Sequence, residues 1–328
     1  MMEKVKVVIT DRYFDRRDLQ YVRNVSLSVV CFPKPQHISK DQVKSLHKEC
    51  KNADLLIVNM LGSPTESLLK LNLDAIGIPK AFWSYDSHHS ADMELKYADK
   101  FDRLFIAHSP YLYKFNGFHV EWLPCAFHRY GIDDLIRIGN GKLPKFDSAP
   151  TRFLNWLTKH PKDKKTIDVA FPHRFYSVGN REKLVTDLCK KMREAGLRVF
   201  FNPVQIGWPY MEVLRRSRVI LNLSLLDDLN LRNFEAWGIN GVLLTNKVPD
   251  HNRIIGINMS HTYFFSRDLS DFDVLLNRAL CDEDDIRTSE EILNSHMKIH
   301  RYINIINSCL EKKYSVAISG DYDGRQKS

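Results

Sequence analysis

Residues 222–246 read NLSLLDDLNLRNFEAWGINGVLLTN, and their polar groups suit a ligand that carries both phosphate and hydroxyl groups. An expected strand, Val219 to Leu223, runs into an acidic loop. A helix then opens near Leu231, with Arg232 and Glu235 in its first turns, and Gly238, Asn240 and Gly241 turn the chain into a second apolar strand, Val242 to Thr245. A loop that enters a helix after a parallel strand presents unpaired backbone N–H groups and the positive end of a dipole, which together seat phosphate. The amides near Asn230 and Leu231 are the candidates. Asp227 and Glu235 have seven residues between them, so one carboxylate belongs to the loop and the other to the helix. Glu235 is placed to accept from ribose hydroxyls and Asp227 to reach hydroxyls of a sugar. Taken alone, the stretch also reads as a capped, solvated helix start with Asp228 or Asn230 as N-cap. The flanking strands and glycines favour a sugar-nucleotide site.

Other residues could complete that chemistry. Arg174 and Arg181 flank an irregular loop (Pro172, His173, Gly179, Asn180) after the apolar run IDVAF. A guanidinium there can pair with a diphosphate and stabilise the charge that builds as a sugar–phosphate bond breaks. The aromatic loop Asn202 to Tyr210 can pack on a flat base, or simply turn around a core Trp208. SYDSHH, residues 84–89, ends another apolar run. Its Asp86, His88 and His89 are candidates for acceptor contact, sugar contact or proton transfer. Asp92 lies nearby, but adjacent histidines rarely reach one ion, so sugar or phosphate contact is preferred to metal. His108 and His128 follow strands and read equally as satisfied loop residues. His296 and His300 share a helix face at i, i+4 and, lacking the H-E-x-x-H pattern, read as ordinary surface.

These groups need a scaffold that gathers strand ends. Short apolar runs alternate with helical patterns along the chain. The expected strands of the first half are Val5 to Thr10, Ser26 to Cys31, Asp54 to Asn59, Lys80 to Ser84, Arg103 to Ala107 and Val120 to Leu123, with helices at Lys40 to Lys51 and Thr65 to Leu71. The pattern pauses between Gly131 and Lys165, then resumes with strands at Ile167 to Phe171, Leu197 to Phe201, Val219 to Leu223, Val242 to Thr245 and Thr262 to Phe265. The intervening helices are Arg181 to Ala195, Pro209 to Ser217, Leu231 to Gly238 and Asp271 to Leu280. One long helical pattern runs from Ser289 to about Lys312. Such alternation predicts an α/β protein of two doubly wound, Rossmann-like domains facing each other across a cleft, with ligands at the carboxyl ends of the strands. The expected division is 1–150 for an acceptor-side domain, 151–300 for a nucleotide-sugar domain, and 301–328 for a helix end and loose tail.

The chain of 328 residues carries a net charge of +8, with 44% hydrophobic and 27% charged residues, which suits a soluble enzyme with anionic ligands. Its six cysteines are scattered without a C-x-x-C pair, which points to a reducing cytoplasm. The N-terminus has no signal-peptide pattern, and no stretch reaches the length of a membrane span, so no integral membrane association is expected.

The strings IDVAF followed by Arg181, WPYMEVLRRSRVILNLS, LNLRNFEAWGINGVLLTN, YDSHH, ELKYADKFDRLFIAHSPYLYKF and VEWLPCAFH resemble the CgeB-like, spore-maturation type of glycosyltransferase. The resemblance spans roughly residues 80–246 and implies the GT-B architecture and a metal-independent transferase. It implies no cofactor beyond a nucleoside-diphosphate sugar donor, UDP-sugar favoured. It also implies that Glu235 binds ribose and that Asp227, where the group carries Glu, contacts the donor sugar. The group's glycine-rich turn is replaced here by Pro172-His173-Arg174, which shifts diphosphate binding toward side chains. The expected reaction moves a sugar to the hydroxyl of a glycan, protein, small molecule or modified DNA base, with retention by analogy. For an inverting course, Asp86 or His88 is the expected base. A sugar-nucleotide epimerase is the second reading. A nucleic-acid-binding protein, suggested by the charge and the run Lys159 to Lys165, is the third.

Overall fold

The computed structural model describes residues 4–11, 25–30, 38–59, 70–127, 165–172, 181–201, 208–224, 226–257, 259–282 and 292–311. His128, the connection around residue 150, Arg174, residues 202–207 of the aromatic loop, most of the Thr65 to Leu71 helix and the tail lie outside them. The chain divides into two compact units. One contains residues 1–126, 226–229 and 297 onward; the other contains 127–225 and 230–296.

The first unit holds β1 (Val5–Thr10), β2 (Val25–Val30), α1 (Lys40–Cys50), β3 (Leu55–Val58), β4 (Lys80–Ser84), α2 (Ser87–Glu94), β5 (Arg103–Ile106) and β6 (Val120–Trp122). Its sheet is parallel throughout, in the order β2-β1-β3-β4-β5-β6. The central strands are apolar on both faces because both faces are covered; β3 is buried at every position. Ser39 caps α1 in a reciprocal capping box with Gln42, and Leu46 and Cys50 point that helix into the core beside Val8, Leu56 and Phe82.

The second unit holds β7 (Ile167–Ala170), α3 (Arg181–Glu194), β8 (Val199–Phe200), α4 (Trp208–Arg215), β9 (Ser217–Asn222), α5 (Leu231–Gly238), β10 (Leu243–Asn246), β11 (Thr262–Phe265) and α6 (Phe272–Cys281). Its parallel sheet has the order β11-β10-β9-β7-β8. Residues of β7 pack against both covering layers. Val169 packs with Val185 and Met192 of α3 and Leu276 of α6, whereas Ile167 and Ala170 pack with Val213 of α4. Both units are therefore doubly wound α/β layers, as the alternation predicted. Gly238 closes α5 where a Cβ would lie 2.6 Å from the Phe127 ring, so the close approach of that ring requires glycine.

The long helical pattern expected from Ser289 to Lys312 is broken. Ile292–His296 forms a separate wide turn, Met297 is extended (φ −73°, ψ 155°), and α7 (Lys298–Leu310) starts anew. The hydrophobic period runs through both pieces, because each is buried on one side, and so conceals the break. α7 belongs to the first unit. Tyr302 stacks edge-on against Trp83 at 5.5 Å, and Arg301 donates from Nε to the Pro124 carbonyl at 3.0 Å. The buried Lys298 pairs with the buried Asp11 at 2.5 Å, and the Tyr302 hydroxyl donates to the same carboxylate.

Candidate functional site

In the second sheet the chain runs to one side of β7 through β8 and to the other through β9, so the topological switch lies between β7 and β9. Open α/β sheets form their ligand crevice at the carboxyl side of such a switch. Phe171 and Pro172 leave β7 there, and Asn222 ends β9. Asn222 is fully buried. Its Nδ2 donates to Thr245 Oγ1 at 3.1 Å, and its Oδ1 accepts from Asn230 Nδ2 at 3.1 Å. Asn230 is the N-cap of α5: its Oδ1 accepts from the Arg232 N–H at 3.1 Å, and its carbonyl accepts from the Asn233 N–H at 3.2 Å. Two of the first helical amides are thus satisfied within the chain, as the capped-helix reading requires. Leu231 and Arg232 are half-buried at the helix entrance.

The Arg232 guanidinium donates to the Pro172 carbonyl, lies 4.8 Å over the Phe171 ring, and approaches the Tyr210 hydroxyl with Nε at 3.4 Å. Tyr210, on α4, donates to Glu235 Oε2 at 2.6 Å. Glu235 is only 6% exposed. Burial raises the pKa of its carboxyl group, while the Tyr210 hydroxyl and the Arg232 charge oppose that rise. Burial, followed by the charge of Glu235, pushes the Tyr210 phenol far up, which keeps it a donor. The arrangement is a carboxylate acceptor held by a phenol beside a cation, at the end of a parallel sheet.

Beneath it, His251 accepts at Nδ1 from the Val248 N–H at 3.0 Å. Its proton therefore sits on Nε2, which donates to Asn233 Oδ1 at 3.1 Å. Burial, then the Lys247 charge, lowers this imidazole to about 4. Asn246 clasps Ser224 through its backbone N–H (2.7 Å) and carbonyl (2.8 Å). The sequence reading overlooked Asn222, Asn246 and His251. The available signal was an asparagine closing each of two adjacent strands.

The other candidates lie in the first unit. Asp86 precedes α2 without a side-chain cap bond, and its carbonyl accepts from the His89 and Ser90 N–H groups. The His88 ring lies 4.0 Å from His89 and 4.7 Å from His108. His108 is buried and donates from Nε2 to the Tyr85 carbonyl at 2.7 Å, which accounts for it structurally. Glu94, also overlooked, shares a face of α2 with Ser87 and Ser90. Its Oε1 accepts from Ser84 at 2.6 Å and Ser90 at 2.7 Å. Burial raises its carboxyl to about 6 against those two hydrogen bonds, and the Asp86 charge adds to the rise.

Asp227 and Asp228 belong to this same unit, because residues 226–229 pack with it. Asp227 is left-handed, with φ 58°. The charges of Asp86 and Asp228 both reach Cys125, whose thiol burial pushes well above its ordinary range. Arg174 lies outside the described residues, and Arg181 opens α3 with a side chain that also does. His296 and His300 do not share a helix as expected, since Met297 separates them; His296 instead donates to the Ile255 carbonyl at 2.9 Å. Among the described residues, no three His, Cys, Asp or Glu side chains are grouped to hold a metal ion, and no helix is long and apolar enough to cross a membrane.

Residues 170–307 match the family model of glycosyl transferase-like proteins. Comparison with curated protein sequences gives no match. Among solved structures, the chain is similar to sucrose-phosphate synthase from Thermosynechococcus elongatus (TM-score 0.52, 10% identity, 94% of this chain and 98% of that one). It also aligns with Anabaena HepE in complex with UDP-glucose (TM-score 0.44, 11% identity, 84% and 89%). A third alignment is with UDP-GlcNAc 2-epimerase from Neisseria meningitidis bound to UDP-GlcNAc (TM-score 0.49, 10% identity, 94% and 100%). At these identities the likeness is one of fold. With two parallel doubly wound sheets and the family match over the second, the protein is a glycosyltransferase of GT-B architecture.

Proposed function

We propose that the protein transfers a sugar from a nucleoside-diphosphate sugar, UDP-sugar favoured, to an acceptor hydroxyl in the cytoplasm, as a member of the CgeB-like group. The observation that carries this reading is the convergence of Glu235, Tyr210, Arg232 and Asn230 at the β7/β9 switch. Glu235 would accept from the ribose hydroxyls. A bidentate diol on a buried carboxylate is a charge-assisted contact, stronger than a neutral hydrogen bond. Tyr210 and Arg232 hold that carboxylate in place. The Leu231 amide, with Arg174 and Arg181, would take the diphosphate.

In the reaction, the bond from the anomeric carbon to the diphosphate oxygen breaks and a bond to the acceptor oxygen forms. The anomeric carbon becomes positive in the transition state, as in glycoside cleavage. The negative charge moves onto the departing diphosphate, where fixed cations stabilise it. Donor binding is assigned to the second unit and acceptor binding to the first. In a retaining course the acceptor proton leaves with the diphosphate. In an inverting course Asp86 or His88 takes it.

The experiment is a thermal-shift and nucleotide-release assay with UDP-, GDP- and TDP-sugars on the full chain. UDP-sugars are expected to give the largest shift and to release UDP. No shift with any nucleotide would overturn the reading. Sugar analysis of the recovered nucleotide without acceptor separates transfer from epimerisation.

A further inference from the structure

The polar side chains around the α5 entrance form a circuit of hydrogen bonds in which every donor points the same way. It starts from the Val248 N–H, which donates to His251 Nδ1 at 3.0 Å. His251 Nε2 donates to Asn233 Oδ1 at 3.1 Å, and Asn233 Nδ2 donates at 3.3 Å to both the carbonyl and Oδ1 of Asn230. Asn230 Nδ2 donates to Asn222 Oδ1, and Asn222 Nδ2 to Thr245 Oγ1, each at 3.1 Å. The Thr245 hydroxyl donates to the Asn246 carbonyl at 3.4 Å, two residues before the starting amide. Asn222, Asn233, Thr245 and His251 are buried, so a broken link leaves a polar group that water does not reach. All of these residues belong to the second unit.

The backbone dictates the direction. An N–H can only donate, so His251 Nδ1 accepts and the imidazole proton stays on Nε2. Asn233 must then turn Oδ1 to the imidazole and Nδ2 to Asn230. The reverse orientation would set the Asn233 oxygen against two acceptors of Asn230. From this circuit we infer that His251 is a positioning residue for the donor diphosphate: it fixes the orientation of Asn233 and, through it, holds Asn230 and the Leu231 amide at the entrance of α5. The inference rests on the donor reading above and deepens it, because it assigns control of phosphate binding to a side chain that meets no ligand. Asn230 is fastened from one side by Asn222, at the end of β9, and from the other by Asn233, within α5. With one fastening gone the cap pivots on the other, and an anion seat built on a backbone amide tolerates little drift. Glu235 is held separately, by Tyr210, so contacts to the nucleoside are independent of His251.

The test compares His251→Asn with His251→Gln in the full chain. Asparagine offers an acceptor at the place of Nδ1 and nothing at Nε2; glutamine offers a donor at Nε2 and nothing at Nδ1. Dissociation constants for UDP and uridine are measured by ligand-observed NMR titration. His251→Asn is expected to weaken UDP about tenfold, the scale of one impaired hydrogen bond to a charged group, and uridine by less than about twofold. His251→Gln should hold both within about threefold, because the link to Asn233 survives. Asn233→Asp keeps the acceptor for His251 and replaces the donor toward Asn230 by an acceptor. It should match His251→Asn, and combining the two should add no further loss. Equal weakening of UDP and uridine, equal behaviour of the two His251 variants, or additive losses in the combination overturns the inference. Should His251→Asn fold poorly, Thr245→Val breaks the circuit at its far end with a side chain of the same shape, and must show the same selective loss. Failure of the unmodified protein to bind UDP would instead overturn the donor reading itself, so the two failures are distinguishable.

Discussion

Each sheet of this protein has one topological switch, and the two are finished in opposite ways. In the first sheet the switch lies between β1 and β3, where Asp11 and Asn59 leave their strands. The chain's own C-terminal helix fills that place: Lys298 and Tyr302 both engage the Asp11 carboxylate, and all three residues are buried. In the second sheet the switch between β7 and β9 is furnished with a carboxylate, a phenol, a guanidinium and a helix entrance. The same α/β layering therefore makes a structural lock at one crevice and a candidate nucleotide seat at the other. In the first unit the chemistry is displaced to the ends of β4 and β5, where Asp86, His88, Glu94 and Tyr111 gather.

The two regions should also respond oppositely to acid, and the largest expected effect lies in the second. His251 is neutral in the fold, lowered from 6.5 to about 4, and protonation would place a hydrogen against the Val248 N–H. Its contribution is complete above pH 6.5 and is lost as pH falls through 4, by about 3 kcal/mol at 1.36 kcal/mol per pKa unit. Urea unfolding between pH 7 and 4.5 should show this loss, and His251→Gln should flatten it. Next, Glu235→Gln should lower kcat/KM about 100-fold, from losing a charge-assisted contact of about 2–3 kcal/mol. It should do so without altering the contacts of Tyr302 in the first unit. Equal kinetics would break the assignment of the second crevice as the nucleotide seat.

In the first unit Glu94 has the opposite sign. Its carboxyl is raised from 4.5 to about 6, so the folded state binds the extra proton between those values. Stability from this group is full below pH 4.5 and is lost as pH rises through 6, by about 2 kcal/mol. Glu94→Gln should restore that amount at pH 7, read as a higher urea midpoint, while leaving UDP affinity unchanged. The smallest effect is expected from Asn230→Ala, about 1 kcal/mol of stability from the lost cap. A loss of UDP affinity in this variant would sharpen the placement of phosphate at the α5 entrance.

Much of the fold was legible because parallel strands buried on both faces leave continuous apolar runs. β1, β4, β11 and α5 have the bounds that the patterns predicted; Pro79 precedes β4 and Asn230 caps α5. Periodicity failed at Met297, where two buried helical pieces share one period across a bend. The site was legible in part. Asp227, Asn230, Arg232 and Glu235 announce themselves by spacing within one segment, whereas Tyr111 and Leu226 are 115 residues apart and no local pattern joins them.

The sequence by itself determined the two doubly wound layers, because a strand–helix period needs nothing beyond its own neighbours to bury its apolar face. It also determined the residue types at the end of β9. Tertiary structure alone decided that Tyr210 meets Glu235, that residues 226–229 join the other unit, and that Lys298 and Tyr302 close the first crevice. Each of these depends on side chains far apart in the chain meeting at strand ends, and the register of the sheets, not local preference, brings them together.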